Sequence, residues 1–346
     1  MSVRVGRILV WLLVLIVVVV VGGISMVGWQ VVFGPKMRTV TNRKFDATPA
    51  RLARGEYLVT SGAHCFHCHT EHDLKDPEGK ANPAKLGAGW ELPIPELGRV
   101  VAPNITPDKE TGIGNWTDDE IARAIQEGVS KDGRALFPVM PWMNFRNLDD
   151  EDVASIVTYI RSIPAVRNPL PVTKLIFPLS MLVKTMPQPL ESHAPAPPRT
   201  TPEERGKYLV RTVTGCQDCH TPADDKGQPL PGMEFGGGAP FDDLANPGKQ
   251  IFSINITQDP SGIPHYDEAM FINTMRTGMI AGRKLTFIMP FEWLRNFRDD
   301  DLKDIWAYLK SVPPVKHRVN NTDSPTKCVV CNQTHGLGDL NVKPLK

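Results

Sequence analysis

The sequence is poor in several features that would mark other classes of protein. Its charges nearly cancel, giving a formal net charge of +1 over 346 residues, so nothing favours nucleic acid or a polybasic membrane patch as a partner. Six cysteines are too few for a disulfide-rich scaffold of this length. Runs with the alternating pattern of β-strands are scarce, which predicts a mostly α-helical fold.

Long hydrophobic runs are also absent, except at the N-terminus. Residues 8–33 are uncharged and apolar. At about 1.5 Å per residue they can cross the roughly 30 Å hydrocarbon core of a bilayer. The run contains no convincing cleavage site, so we predict an uncleaved transmembrane anchor over 8–33 and a short cytoplasmic N-terminus over 1–7. Basic residues occur on both sides of the run, so they do not fix its orientation.

Two long segments of the chain repeat each other. The stretch ARGEYLVTSGAHCFHCHT (53–70) matches ERGKYLVRTVTGCQDCHT (204–221), and LFPVMPWMNFRNLDDEDV matches LTFIMPFEWLRNFRDDDL. The offset is 151 residues at the cysteines and 149 residues at the end of the repeat. We therefore predict two homologous units, 46–166 and 200–315, joined by a proline-rich strap, 167–199, and followed by a tail, 316–346.

Each unit is predicted to begin and end with a helix, with a middle helix between them. A threonine followed by proline provides an N-cap and a first-turn proline for each opening helix. Aspartates begin the closing helices, where they suit the helix dipole. The predicted opening and closing helices are 49–61 and 149–162 in the first unit, and 202–213 and 299–311 in the second. Gly55 and Gly206 are expected where Tyr159 and Tyr308 cross closely.

The repeat shows what the cysteines hold. HCFHCHT becomes GCQDCHT, so only the two cysteines and the following histidine are kept. His64, His67 and His72 have no counterpart and are interpreted as incidental surface histidines. Cysteines at i and i+3 share one side of a helical turn, so both can bond to the vinyl groups of one haem while the next histidine reaches the iron.

A zinc knuckle or a disulfide is the alternative to haem at these motifs, but an adjacent cysteine and histidine do not easily bind one zinc ion together. The motifs therefore predict two covalently bound haem c groups. They are attached through Cys65 and Cys68 with His69 as an iron ligand, and through Cys216 and Cys219 with His220.

The repeat also selects a sixth iron ligand. It aligns Met140 with Met289, each followed by a proline that fixes the loop, whereas the nearby Met143 aligns with Glu292. Methionine also serves as ordinary core filling. The matched positions favour His/Met ligation at both irons and high reduction potentials. Asn104 and Asn255, in PNIT and INIT, are plausible donors to haem propionates or to loop backbone.

These residues resemble a tandem class I cytochrome c. The stretches PNITPDKETGIGNWTDDEIARAI and DGRALFPVMPW, preceded by CFHCHT, closely resemble the haem domains of the cytochrome c subunit of bacterial membrane-bound alcohol and gluconate dehydrogenases. The resemblance implies a helical haem fold, His/Met iron and electron relay from a periplasmic donor to the membrane. It covers 50–166 strongly and 203–315 more loosely. Those subunits usually carry three C-x-x-C-H domains and lack a long N-terminal anchor, whereas this chain has two motifs and such an anchor.

The predicted function is electron transfer without substrate chemistry. Haem c is attached outside the bacterial cytoplasm, so we predict a single-pass protein of the bacterial inner membrane with periplasmic haem domains. Its partners would be the lipid bilayer and a membrane or periplasmic redox complex: a dehydrogenase, a quinol-oxidising complex or a terminal oxidase. The alternative is a di-haem peroxidase-type oxidoreductase with one open haem site.

The tail contains a third C-x-x-C pair, Cys328 and Cys331, with no histidine directly after it. A disulfide is the leading interpretation, because the predicted compartment is oxidising. The alternatives are a small metal site that uses both cysteines and His335, and an irregular third haem site.

Overall fold

A computed structural model describes residues 2–76, 79–191, 196, 198–224, 227–243, 248–280, 282–286 and 288–342. The fold is mostly helical, as predicted. The helices are α1 Ser2–Val27, α2 Gln30–Phe33, α3 Pro49–Thr60, α4 Cys65–His69, α5 Asp118–Glu127, α6 Trp142–Phe145, α7 Asp150–Ser162, α8 Leu179–Leu182, α9 Pro202–Tyr208, α10 Cys216–His220, α11 Glu268–Thr277, α12 Phe291–Leu294 and α13 Asp299–Ser311. Single 3₁₀ turns lie at Pro83–Lys85, Pro95–Leu97, Val183–Thr185 and Gly338–Leu340.

Within the described part of the chain, the strands form five short antiparallel pairs rather than one sheet. They are β1 Trp90–Glu91, β2 Gly98–Arg99, β3 Val101–Ala102, β4 Lys174–Leu175, β5 Pro240–Asp242, β6 Gln250–Phe252, β7 Met279–Ile280, β8 Arg283–Lys284, β9 Asn320–Lys327 and β10 Thr334–Gly336. The pairs are β1 with β3, β2 with β4, β5 with β6, β7 with β8, and β9 with β10. Such short strand pairs only connect loops to one another, so the fold is formed mainly by its helices.

The N-terminal helix α1 stands apart from the rest of the chain. Within the described residues, one helix is long and apolar enough to cross a membrane, with a window over Gly6–Gly23 of mean hydropathy 2.6 and no buried residues. The apolar run predicted as one span is divided in the structure, because α1 ends at Val27 and the short α2 follows after Gly28.

The segment after α2 is extended and is fastened to the first unit by ion pairs. The guanidinium of Arg38 binds buried Asp119 at 2.8 Å and buried Glu127 at 2.6 Å. The backbone N–H of Thr41 also donates to Asp119, at 2.6 Å. Burial raises the pKa of Asp119, but Arg38 and Thr41 outweigh it and lower that pKa to about 2. One of the basic residues beyond the apolar run therefore binds the folded domain.

The first unit is built on the crossing of its opening and closing helices, α3 and α7. The Thr48 hydroxyl caps α3 by accepting from Arg51 N, as predicted. A Cβ on Gly55 would lie 1.9 Å from the carbonyl oxygen of Ser155 and 2.6 Å from Cβ of Tyr159. Only glycine permits this approach, so the predicted close crossing of Gly55 and Tyr159 is confirmed.

The second unit repeats this arrangement with α9 and α13. Thr201 and Glu204 form a capping box at the start of α9, and Gly206 makes the equivalent close crossing with Tyr308. The opening helix differs from its prediction, because it is α-helical only to Tyr208 and continues as a π-helix over Leu209–Thr214. Four of these six residues are β-branched, and such side chains lower helix propensity.

The strap folds back on the first unit and on α2, the short helix that follows α1. Its β4 pairs with β2, and the Lys184 ammonium donates to the carbonyl oxygen of Val31 at 3.1 Å. Phe177 remains 76% exposed beside these contacts. The strap is therefore a surface segment with an apolar outer face, next to the end of the apolar helix.

The two units share one buried apolar cluster. They also exchange a reciprocal pair of hydrogen bonds between opening and closing helices. Tyr208 of α9 donates to Asp152 of α7 at 2.7 Å, and Tyr57 of α3 donates to Asp301 of α13. Each tyrosine thus binds an aspartate of the other unit, and the units form one body.

Candidate functional site

Both C-x-x-C-H motifs form the same short helix, α4 in the first unit and α10 in the second. A residue with positive φ precedes each helix, His64 at 33° and Gly215 at 71°. His64 is strained in this region, and its Nδ1 lies 2.6 Å from the carbonyl oxygen of Gly62. The chain therefore turns sharply into each motif, and the helical turn places both cysteines on one side.

The motif histidines are buried and oriented in the same way. His69 Nδ1–H donates to the Pro103 carbonyl oxygen at 2.7 Å, and His220 Nδ1–H donates to the Ile254 carbonyl oxygen at 2.9 Å. Burial lowers the pKa of each imidazole, so both rings are neutral near pH 7. Among the described residues, no hydrogen bond engages Nε2 of either ring, which leaves each Nε2 lone pair for a metal.

The acceptor carbonyls are fixed by the asparagines that follow them. Asn104 donates to the Val166 carbonyl oxygen at 2.7 Å, and Asn255 donates to the Val315 carbonyl oxygen at 2.6 Å. Each asparagine also accepts from a backbone N–H two residues on, at 2.9 Å. Of the two roles predicted for these asparagines, the structure shows the loop-backbone role. Sequence reasoning missed that Pro103 and Ile254 orient the histidines, since any residue can supply a carbonyl.

The methionine loops are alike in backbone geometry. Met140 N donates to the Phe137 carbonyl oxygen at 3.1 Å, and Met289 N donates to the Thr286 carbonyl oxygen at 3.3 Å. Both side chains are half-buried against the apolar cluster, to which Cys65 and Cys216 also pack. Met143 is more exposed, at 48%.

The four motif cysteines are free thiols rather than disulfides. Burial raises the pKa of Cys65 to about 12 and the pKa of Cys68 to about 11, so both stay protonated at neutral pH. A thioether, like a thiol, is uncharged, so covalent attachment to a haem vinyl group would add no buried charge at these positions.

The two motifs lie at the contact between the units. The Phe66 ring of α4 packs on the Trp293 ring of α12, with centroids 5.7 Å apart. In the reciprocal contact, Asn144 of α6 binds Asp218 of α10 at 2.5 Å and Gln217 at 3.2 Å. Desolvation raises the pKa of Cys219 to about 11, and the neighbouring Asp218 and Cys68 add to this rise. The two motifs are therefore neighbours in space.

Two predictions about other histidines and cysteines need correction. His72 is buried rather than on the surface, and its ring bridges the Gly79 carbonyl oxygen at 2.5 Å and the His67 carbonyl oxygen at 2.7 Å. Cys328 and Cys331 are free rather than joined in a disulfide. Both lie buried in a cluster with His317 and His335.

Comparison with known proteins finds a known domain in the first unit. Residues 52–164 match the family model described as cytochrome c. The chain is 30% identical over 289 residues to the fructose dehydrogenase cytochrome subunit of Gluconobacter japonicus, covering 78% of this chain and 55% of that protein. It is 31% identical over 287 residues to the cytochrome c subunit of the quinone-dependent alcohol dehydrogenase of Komagataeibacter europaeus, covering 78% and 58%.

A diheme cytochrome c-type protein of Cereibacter sphaeroides is 26% identical over 281 residues, which cover 79% of this chain and 89% of that protein. The chain spans a little over half the length of the two dehydrogenase subunits. Residues 52–164 of this chain are a cytochrome c domain. Its homologues include the cytochrome c subunits of dehydrogenases, which are electron-transfer components. A cytochrome c domain implies covalently bound haem c, and two thiols, an imidazole Nε2 and a thioether form a donor set that fits this cofactor.

Proposed function

We propose that this chain is a membrane-anchored di-haem cytochrome c that passes single electrons between a dehydrogenase or quinol-oxidising complex and a downstream acceptor. One haem would be held by Cys65, Cys68, His69 and Met140 in a domain over 46–166. The other would be held by Cys216, Cys219, His220 and Met289 in a domain over 200–315. When bound, each haem supplies a one-electron iron couple.

The observation that carries this proposal is the repetition of the histidine geometry. Both motif histidines donate through Nδ1 to a backbone carbonyl, at 2.7 and 2.9 Å, within units of the same element order. Such a bond fixes the ring and strengthens Nε2 as an iron ligand. A family match over 52–164 covers one motif, and the same geometry around His220 supports a second haem at the other motif.

The placement of the motifs supports electron exchange between the two haems. Phe66 touches the second unit, and Asp218 touches the first. Because both motif helices face the contact between the units, the haems attached to them would be neighbours. The chain would then act as a short relay, in which each unit contributes one redox centre.

Two features support a position in the membrane: the apolar helix and the exposed aromatic residues that follow it. The unburied window over Gly6–Gly23 is long enough for a bilayer, and the exposed Trp29 and Phe33 follow it. Haem c attachment would place both units on the periplasmic side of the bacterial inner membrane. Anchoring raises the effective concentration of a carrier near membrane redox complexes, including the dehydrogenases, quinol-oxidising complexes and terminal oxidases proposed as partners.

Carbon monoxide distinguishes this function from its enzymatic alternative, because it binds ferrous haem only where a coordination position is open. We expect no CO-difference spectrum from the dithionite-reduced protein, since Met140 and Met289 would occupy both sixth positions. Met140→Ala and Met289→Ala should each gain one equivalent of bound CO. Met143→Ala, a matched substitution three residues from Met140, should gain none. A pyridine haemochrome assay should give two haems per chain.

Stoichiometric CO binding by the unsubstituted protein would contradict the proposal. It would favour the di-haem peroxidase-type alternative, which needs an open site for peroxide. A haem content of one per chain would show that only one of the two motifs carries the cofactor.

A further inference from the structure

We propose that the tail forms a structural zinc site with the ligands His317, Cys328, Cys331 and His335. One ligand atom from each of these four residues lies within 4.8 Å of the others. All four residues are buried: the exposed fractions are 0% for Cys328 and both histidines and 2% for Cys331. This site is separate from both C-x-x-C-H motifs and is not needed for electron transfer.

The distances suit a single tetrahedral ion. Cys328 Sγ lies 3.4 Å from His317 Nε2, and Cys331 Sγ lies 3.3 Å from His335 Nε2. With Zn–S bonds of about 2.3 Å and Zn–N bonds of about 2.0 Å, tetrahedral geometry separates sulfur from nitrogen by about 3.5 Å. The cysteine–histidine pairs therefore already have the spacing that one bound zinc ion requires.

The histidine rings are oriented as metal ligands. His317 Nδ1 donates to the Gly236 carbonyl oxygen at 2.9 Å, and His335 Nδ1 donates to the Gly336 carbonyl oxygen at 3.0 Å. These bonds assign the proton to Nδ1 and turn both Nε2 atoms toward the sulfurs. A backbone carbonyl on the second ring nitrogen is the usual support for a metal-bound histidine.

The backbone around the cysteines holds them in one tight loop. Strands β9 and β10 pair Lys327 with Thr334, and Cys328 N donates to the Gln333 carbonyl oxygen at 2.8 Å. Asn341 donates to Cys328 Sγ at 3.4 Å, a contact that stabilises a thiolate. The hairpin thus holds both cysteines near the ring of His317, with which the Cys328 sulfur is in contact.

The donor set selects zinc. Two thiolates and two imidazoles in a tetrahedral arrangement favour zinc over the oxygen-preferring magnesium and calcium ions. Binding releases the two thiol protons, and the thiolate charges then balance the divalent ion, so the buried site is neutral overall. Four protein ligands leave no open position, which defines a structural rather than a catalytic site.

The site would fasten the tail to the second unit. His317 follows the closing helix α13, whereas the other three ligands belong to the hairpin. Gly236, whose carbonyl orients His317, belongs to the loop that follows the second motif. One ion would therefore join the tail to that loop, and its loss should loosen residues 316–342 while leaving the haems attached.

The test is the metal content of the full chain, purified in detergent and washed with EDTA. Elemental analysis should give one zinc for every two irons, and zinc-edge X-ray absorption should show two sulfur and two nitrogen neighbours. Cys328→Ser and His317→Gln should each reduce zinc to less than a tenth while keeping two haems. His265→Gln, which replaces an exposed histidine of the same unit, should keep the zinc.

A second measurement does not depend on how the variants fold. A thiol-blocking mercurial added to the unsubstituted protein should release one zinc per chain, detected with a metal-binding dye. The proposal would be overturned if the protein contained no zinc, showed no free thiols after denaturation, and had a mass two hydrogens lower than expected for two free thiols. That result would establish a Cys328–Cys331 disulfide. Stoichiometric copper or a third iron in place of zinc would overturn it as well.

Discussion

The two units contact each other through matched positions that differ in chemistry. Where the first motif meets the second unit, Phe66 packs on Trp293, an apolar ring contact. Where the second motif meets the first unit, the corresponding residues are Gln217 and Asn144, which form a hydrogen bond at 3.2 Å. The repeated backbone places each motif helix against the other unit, whereas the side chains determine how much each contact stabilises the protein. A repeated fold can therefore contain two contacts of unequal strength.

The largest expected difference in stability is between variants that truncate a side chain in one or the other of these two contacts. Trp293→Ala removes a buried ring and should cost about 3–5 kcal/mol, whereas Asn144→Ala removes partly exposed hydrogen bonds worth about 1 kcal/mol. At about 2–4 °C per kcal/mol, the thermal midpoint should fall by roughly 6–20 °C for the tryptophan variant and by no more than about 4 °C for the asparagine variant. Circular dichroism during heating of the haem-loaded protein measures both. Equal losses would show that the two contacts carry equal energy.

The tyrosine–aspartate pairs provide a finer comparison. Tyr208 is 4% exposed and donates to buried Asp152, whereas Tyr57 is only half-buried where it donates to Asp301. Tyr208→Phe leaves a buried carboxylate with one donor fewer and should cost about 1–2 kcal/mol. Tyr57→Phe should cost about half as much, because water can replace its hydroxyl.

The same thermal midpoints test this ranking. As a control, Tyr159→Phe changes a tyrosine of the closing helix whose Cβ lies against Gly55 within the first unit, and it should have little effect. A larger loss for Tyr57→Phe than for Tyr208→Phe would reverse the ranking drawn from burial.

Alkaline pH should weaken the Tyr57 contact gradually. Burial and the hydrogen bond to Asp301 raise the pKa of Tyr57 to about 12 from its ordinary value of 10. Since the folded-state pKa is raised, the stabilisation is fully present below pH 10 and is lost as the pH rises through about 12. Stability measured between these limits should fall less steeply in Tyr57→Phe than in the unsubstituted protein. Equal slopes of stability against pH in the two proteins would show that Tyr57 is not the titrating group.

The local parts of this fold could be predicted from the sequence, because their causes are local. Thr48 and Thr201 cap their helices as expected, and Gly55 and Gly206 make the predicted crossings. The π-helical turn over Leu209–Thr214 was not foreseen, since it depends on packing as well as on β-branched residues.

The remaining misses come from contacts that form only when the chain folds back on itself. Nothing near Tyr57 in sequence indicates Asp301, which is 244 residues away. His317 shows no metal-binding motif of its own, because its ring reaches Cys328 only after the tail folds back on the second unit. The repeat aligned the ligands of each unit, but it contained no information about how one unit faces the other.

The exchanged tyrosine bonds have a consequence for the history of the molecule. When Tyr57 binds Asp301 while Tyr208 binds Asp152, each half offers the other the same patch, as in the isologous interface of a two-fold symmetric dimer. The chain has the form of such a dimer fused into one polypeptide. Fusion frees the two patches to mutate separately, which identical subunits cannot do. The apolar contact at the first motif and the polar contact at the second are an example of such divergence.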